Sequence, residues 1–463
     1  MLFLDLPLEI LPEILEYVVK PQHLATVCLV NKTFNPFATR RLYERISIYS
    51  WHKEGKVKVI KLFDTLSRNP HLASFLYKLE IRDFPKAITI LDDDIHARVH
   101  RGLKNCTNLR SCAWTRDGSL NSDILEALTH CPNLQELELN GNDQGHYDTR
   151  SLLAFTHLRR LSIIMPSTGV MAELNPWLAL TGHTLRSLTL ICRATPVVTD
   201  VALERISPYL ANLDILHLAG CPKVTHRGVC AVISSNLNGL IGLGLEGVSP
   251  RFDMAEFARQ CNSSGVLKRL RSITLTVYQQ LVMKEWITGV LDLLGDSPLE
   301  LFQIYSTGAF FESPMTDNFW RQLVLTHGKR LTRFSVHRML ISLEAIKTIC
   351  LQCTRLEQLF VVVEPSSLQQ LAKSLSFARK LRTIHVNYPI EECMEVPPVL
   401  PVTEALSIIN QCSSTVTQFG CNARVWQVER TVFRGEDGTL QTRSNLAPYG
   451  MPEVPEQFLV VRT

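Results

Sequence analysis

The chain has 463 residues, 46% hydrophobic and 20% charged, with a formal net charge of +4, a composition that excludes a disordered or fibrous protein. Its 48 basic and 44 acidic residues are mixed along the chain with no Lys/Arg block, so neither nucleic acid nor an anionic membrane is expected as the main partner, and no stretch approaches the roughly 18 apolar residues of a membrane-spanning helix. Thirteen cysteines follow no pairing pattern, which predicts free thiols in a reducing compartment, cytoplasm or nucleus.

The chain begins with an oily run, Asp5 to Val19, reading DLPLEILPEILEYVV. It is no secretory signal, because no Lys or Arg precedes it and four acidic residues punctuate it. Pro12 lacks an N–H and is tolerated only in the first turn of a helix, so the regular helix is expected from about Glu9. Ile10, Ile14 and Val18 line one stripe. Pro21 restarts a short helix through Leu24, Val27 and Cys28, and Pro36 starts a third with Phe37, Leu42 and Tyr43. Helices this short expose more apolar surface than they bury among themselves, so a partner surface is the simplest cover.

Leu6-Pro7, Glu9-Ile10, Ile14-Leu15, the LVNKTF segment ending at Phe34 and RRLYERI at Arg40 to Ile46 make residues 1–48 resemble an F-box. The resemblance implies docking on a Skp-type adaptor and, through it, on the cullin and RING subunits of a ubiquitin ligase. It assigns adaptor contacts to Leu6, Pro7, Ile10, Ile14, Leu15, Leu29, Val30 and Phe34. A plain cap over the first repeat is the alternative left open.

Next comes DDDIHARVH, Asp92 to His100. His96 and His100 would share a helix face, with Asp92 one turn earlier, the best metal-like spacing in the chain. The same aspartates suit a helix N-terminus, and two surface histidines lack a third ligand. No metal or cofactor is assigned.

From Leu109 on, one pattern recurs: L-x-x-[LIFC]-x-[LIVW]. Its leading leucines are Leu109, Leu134, Leu158, Leu185, Leu213, Leu240, Leu270, Leu299, Leu331, Leu356 and Leu381, spaced mostly 24 to 32 residues apart. Leu76 fits before them and Val416 after. In ELELN, Leu137 and Leu139 face inward while Glu136, Glu138 and Asn140 face outward. A polar turn and a helical segment follow each strand. In TDVALERISPYL, Thr199 or Asp200 caps and Val201, Leu203, Ile206 and Leu210 form the buried stripe. One such unit has no core of its own and must stack on its neighbours. This resembles the leucine-rich-repeat family, most closely the cysteine-containing subtype at Cys221. The expected fold is therefore α/β: a solenoid with a curved parallel sheet and outer helices over residues 49–423, preceded by a small all-α F-box. Inserts are expected between Leu299 and Leu331 and at EECMEVPPVLP.

GLGLEG (Gly242 to Gly247) matches G-x-G-x-x-G but lies within a repeat strand, where no dinucleotide motif belongs. CLQC (Cys350 to Cys353) ends its helix, where the dipole opposes a reactive thiolate, and reads as core. Catalytic signatures such as G-x-S-x-G or a Walker A are missing, so no enzymatic activity is expected.

Outward strand positions are small or polar in the N-terminal half and aromatic or basic later. Tyr305, Arg333, His337, Phe360 and His385 are expected to bind a target protein on the concave face. Packing of Phe360 and Val362 under the C-terminal segment is the competing role. The end of the chain, residues 424–463, reads as a capping hairpin with Gly435 and Gly438 in its turn, then a Pro-rich tail whose apolar run, Phe458 to Val461, needs cover. This ending resembles those of the large F-box families of basidiomycete fungi. The whole resembles an F-box/leucine-rich-repeat substrate receptor of an SCF-type cullin–RING ubiquitin ligase. A Skp-bound or stand-alone scaffold without ubiquitin transfer, and a small-molecule-sensing repeat receptor, share the same sequence features.

Overall fold

The computed structural model describes residues 7–85, 95–193, 195–310, 313–389, 399–435 and 439–449. The chain forms two compact units. One holds the described residues up to Leu213 together with Ala219–Cys221; the other holds Asp214–Leu218 and the chain from Pro222 onward.

The first unit opens with a turn of 3-10 helix, Leu8–Ile10, followed by α1 (Leu11–Glu16), α2 (Pro21–Cys28) and α3 (Phe34–Glu44). Pro12 and Pro21 sit in the first turns of α1 and α2, where a missing N–H costs no hydrogen bond. α3 begins before Pro36, because the Asn31 carboxamide accepts from the backbone N–H groups of Thr33 and Phe34, at 2.9 and 2.8 Å. Leu15, Leu24 and Ala38 form the core of this bundle, with Val18, Val27, Phe37 and Leu42 packed around it.

Six parallel strands follow: β1 (Arg45–Ile48), β2 (Lys78–Ile81), β3 (Ser111–Trp114), β4 (Glu136–Asn140), β5 (Arg160–Ile164) and β6 (Ser187–Ile191). Register aligns Leu79, Cys112, Leu137, Leu161 and Leu188, all buried. The pattern's apolar position thus becomes one continuous row, and burial of such rows is the main stabilising term. Intervening helices are capped by side chains: Asn121, Ser167 and Thr199 each accept a backbone N–H in the first turn. Val201, placed in the buried stripe from sequence, is 47% exposed. Leu203, Ile206 and Leu210 fill that stripe alone, because Val201, two residues before Leu203, falls about half a turn away on the opposite side of the helix Asp200–Ile206.

In the second unit strands β7 (Ile215–Ala219), β8 (Gly242–Glu246), β9 (Ser272–Val277), β10 (Leu301–Phe310), β11 (Arg333–Leu340), β12 (Gln358–Val362), β13 (Thr383–Asn387) and β14 (Gln418–Cys421) run in chain order. The insert after Leu299 lengthens β10, whose register with β11 shifts after Tyr305. β15 (Arg424–Arg434) and β16 (Leu440–Pro448) are antiparallel. This is the expected hairpin, closed by Gly435 N–H donating to the Thr439 carbonyl at 2.8 Å. Gly438, Phe458 to Val461 and residues 391–398 of the second insert lie outside the described residues. Among the described residues, no helix is long and apolar enough to cross a membrane.

Candidate interaction surfaces

The N-terminal bundle covers only part of its apolar side chains. Tyr17 and Leu29 are each 85% exposed and Val30 60%; Leu8 and Val19 are exposed as well. α1 and α2 are too short to turn a full stripe inward, and the Leu29-Val30 turn points its side chains away from the core. Of the residues assigned to adaptor contact, Pro7, Leu29 and Val30 are exposed, while Ile10, Ile14 and Phe34 are half-buried. Leu15 corrects the sequence reading. It is core, packed with Leu24 and Ala38, because its side chain faces α2 and α3, so it holds the surface rather than forming it. Leu6 lies outside the described residues. Tyr17 and Leu8 were missed by the sequence reading, although their place outside the Ile10, Ile14, Val18 stripe was the signal.

The alternate, non-leucine positions of the strands make a second surface, and it differs between the units. In the first it is ionic. The buried Glu80 carboxylate accepts from Ser47 Oγ at 2.7 Å and Tyr49 Oη at 2.8 Å, and faces Lys78 Nζ at 3.3 Å. Arg82 donates to Glu138 at 2.7 and 3.3 Å. Burial alone would raise the Glu80 pKa, but Ser47, Lys78, Tyr49 and Arg82 together hold it below the ordinary carboxylate value. Trp51 stacks on Tyr49 with centroids 4.6 Å apart. Every carboxylate here has its cation, so this face is polar without being strongly charged.

In the second unit the same positions carry rings. Tyr305 stacks on His337 at 4.5 Å and 9°; His337 meets Phe360 at 5.9 Å; Phe360 stacks on His385 at 5.9 Å and 17°. Parallel strands put these positions roughly 5 Å apart, close to the stacking distance of rings. Tyr305, Phe360 and His385 are buried, with Arg333 and His337 partly exposed. Of the five side chains expected to meet a target, only those two are partly exposed, and Arg333 Nε donates to Gln358 Oε1 at 2.6 Å. Hydrogen bonds fix the ladder. Gln303 Nε2 donates to Tyr305 Oη at 2.5 Å, Ser335 Oγ lies 2.8 Å from His337 Nε2, and His385 Nε2 is 3.0 Å from the Asn422 carbonyl. Burial holds both histidines neutral, lowering His337 to about 3 and His385 to about 4.

The glycines of GLGLEG serve this face. A Cβ on Gly244 would sit 2.3 Å from the His217 ring, and that imidazole bonds Glu246 at 2.7 Å. The space the glycine leaves is filled by its neighbour's histidine, as Gly420 leaves room for His385. Cys350 and Cys353 are buried, and burial pushes both thiols up, Cys353 to about 12. His96 and His100 turn to different partners, His96 to Asn121 at 3.3 Å and His100 to Glu126; Asp92 lies outside the described residues. Among the described residues no group of three or more His, Cys, Asp or Glu is placed to hold a metal.

No curated protein matches the chain. Among solved structures it is similar to the leucine-rich repeat-containing protein LegL7 from Legionella pneumophila, at 12% identity and a TM-score of 0.38 over 69% of this chain and 95% of that one. It is also similar to a chain of the Rad7 and Elc1 complex in yeast, at 14% identity and a TM-score of 0.41 over 84% of this chain and 94% of that one. The family model named F-box-like matches residues 3–49, the segment that holds α1, α2 and α3. Residues 3–49 are thus an F-box-like domain, set ahead of strand–helix repeats of the leucine-rich type.

Proposed function

We propose that the protein is the substrate-recognition subunit of an SCF-type cullin–RING ubiquitin ligase, acting in the cytoplasm or nucleus. The exposed apolar surface of the F-box-like domain carries this reading. Tyr17, Leu29 and Val30 stand in water on a domain that matches a family model, and desolvating such side chains is what a docking partner gains. Pro7, Ile10, Ile14 and Phe34 extend the same surface toward a Skp-type adaptor, with Leu6 assigned to it by the resemblance alone. The repeats then hold a target protein near a ubiquitin-charged enzyme, contributing proximity rather than chemistry. On the second unit's face Arg333 and His337 would touch the target, while Tyr305, Phe360 and His385 hold them in place.

The test is co-purification with a Skp-type adaptor. Leu29→Asp/Val30→Asp changes exposed positions only, so folding is preserved. Binding by wild type and its loss in the variant, with circular dichroism unchanged, is the expected result. Failure of wild type to bind would remove the ligase reading. Turnover of a captured target separates a ligase receptor from a scaffold.

A further inference from the structure

A row of cations runs along the second unit where each helix gives way to the next strand. Arg330, Arg355 and Lys380 each stand immediately before the repeat leucine, at Leu331, Leu356 and Leu381. Arg333, Gln358 and Thr383, three residues further on in each case, are register partners in β11, β12 and β13. The three cations are therefore backbone neighbours, spaced roughly 5 Å from strand to strand. Lys329 and Arg379 double the row. All five are exposed, and among the described residues none of them forms an ion pair.

A few residues earlier in each of these repeats stands an exposed apolar side chain. Leu325, Leu351 and Phe377 are 69%, 49% and 47% exposed. They lie near the ends of the helices Pro314–His327 and Leu343–Gln352 and just past Leu368–Leu375, each a few residues before its repeat leucine. Helix-end cations are favoured by the helix dipole, but a dipole asks for no exposed leucine or phenylalanine next to each one.

In five earlier repeats the position before the repeat leucine has a structural task. Asn108, Asn133 and Asn212 donate from Nδ2 to a carbonyl of the preceding repeat, at 2.8, 3.1 and 3.3 Å, and Thr184 does so from Oγ1 at 2.8 Å. Arg269 reaches the Asn238 carbonyl in the same way at 3.2 Å. Arg330 turns back to Thr326 in its own helix, and Arg355 and Lys380 make no such bond among the described residues. Three successive repeats have given up that bond and present charge instead.

We infer that this edge docks an acidic segment of a partner protein that carries spaced apolar side chains. Carboxylates would meet the cation row, and leucine-sized side chains would cover Leu325, Leu351 and Phe377. Each of the three successive repeats offers one cation before its leucine and one exposed apolar side chain a few residues earlier, a pairing that fits one peptide segment. A membrane or nucleic acid would call for a broad basic field, and Glu357, two residues after Arg355, interrupts this one. The inference stands apart from the adaptor reading, since it uses no residue of the F-box-like domain.

The experiment titrates the full chain into a fluorescein-labelled amphipathic peptide of Glu with Leu at i, i+4 and i+7 spacing, read by anisotropy. Wild type should bind it and should not bind the same peptide with Gln for Glu. Arg330→Glu/Arg355→Glu/Lys380→Glu should weaken binding by about tenfold or more, and Leu325→Ser/Leu351→Ser/Phe377→Ser should weaken it several-fold, both with unchanged melting. Leu29→Asp/Val30→Asp should leave it intact. An absence of wild-type binding, an unaffected cation or apolar triple variant, or preference for phosphatidylserine vesicles or single-stranded RNA over the peptide would overturn the inference.

Discussion

Each unit builds a sheet of parallel strands with inward leucines, and the two finish the non-leucine face in opposite ways. Around β2 to β4, Lys78 pairs with Glu80 and Arg82 with Glu138. From β10 to β13, Tyr305, His337, Phe360 and His385 stack into a ladder. The repeat pattern dictates the inward leucines and says nothing about alternate positions, so each unit meets that freedom with its own chemistry. The first uses charge pairs, which need precise partners; the second uses ring area, which needs only spacing.

The largest consequence is for stability. Phe360→Ala removes a buried ring from the middle of the ladder and should cost about 3–5 kcal/mol in urea unfolding. Ser162→Ala, at the corresponding row of β5, should stay within about 0.5 kcal/mol. Similar losses at both sites would mean that the ladder is ornament on a face held by the leucines alone. Next in size is Glu80→Ala, which strips Ser47, Tyr49 and Lys78 of their common acceptor and should cost about 2–3 kcal/mol. If Glu80→Ala is neutral, the ionic face is solvated and not structural.

Acid should separate the two faces. His337 and His385 have folded pKa values of about 3 and about 4 against an ordinary 6.5. Their neutral forms therefore contribute stability that is complete above about pH 6.5 and is lost as pH falls toward those lower values. Glu80, held below its ordinary 4.5, contributes stability that persists to lower pH and disappears only as pH falls through its folded value. Between pH 7 and 5 the urea midpoint should fall in wild type, and much less in His337→Phe/His385→Phe. Equal slopes in the two proteins would show that the histidines reach water.

Much of this was legible in the sequence. The leucines at Leu109 to Leu381 set the strand starts, because a residue type needed for burial recurs at fixed phase. Pro12 and Pro21 marked helix starts for a similarly local reason. What could not be read is what depends on neighbours one repeat away. Leu15 was assigned to a surface because nothing local reveals that α2 and α3 close over it. GLGLEG carried no sign that Gly244 yields to His217. The cations Arg330, Arg355 and Lys380 lie about a repeat apart in the chain and look mixed; only the register makes them a row.

That register allows a finer comparison along the helix-to-strand edge. Asn133→Ala in the first unit removes a side-chain bond to the Thr107 carbonyl and should lower stability by about 1 kcal/mol. Arg355→Ala in the second unit breaks no such bond among the described residues and should change stability by less than about 0.5 kcal/mol. The pair distinguishes a residue kept for the fold from one the fold can spare. A residue that can be spared, yet is charged and aligned with its like in adjoining repeats, is placed by something outside the chain. A loss at Arg355 matching that at Asn133 would instead make the cation row part of the scaffold.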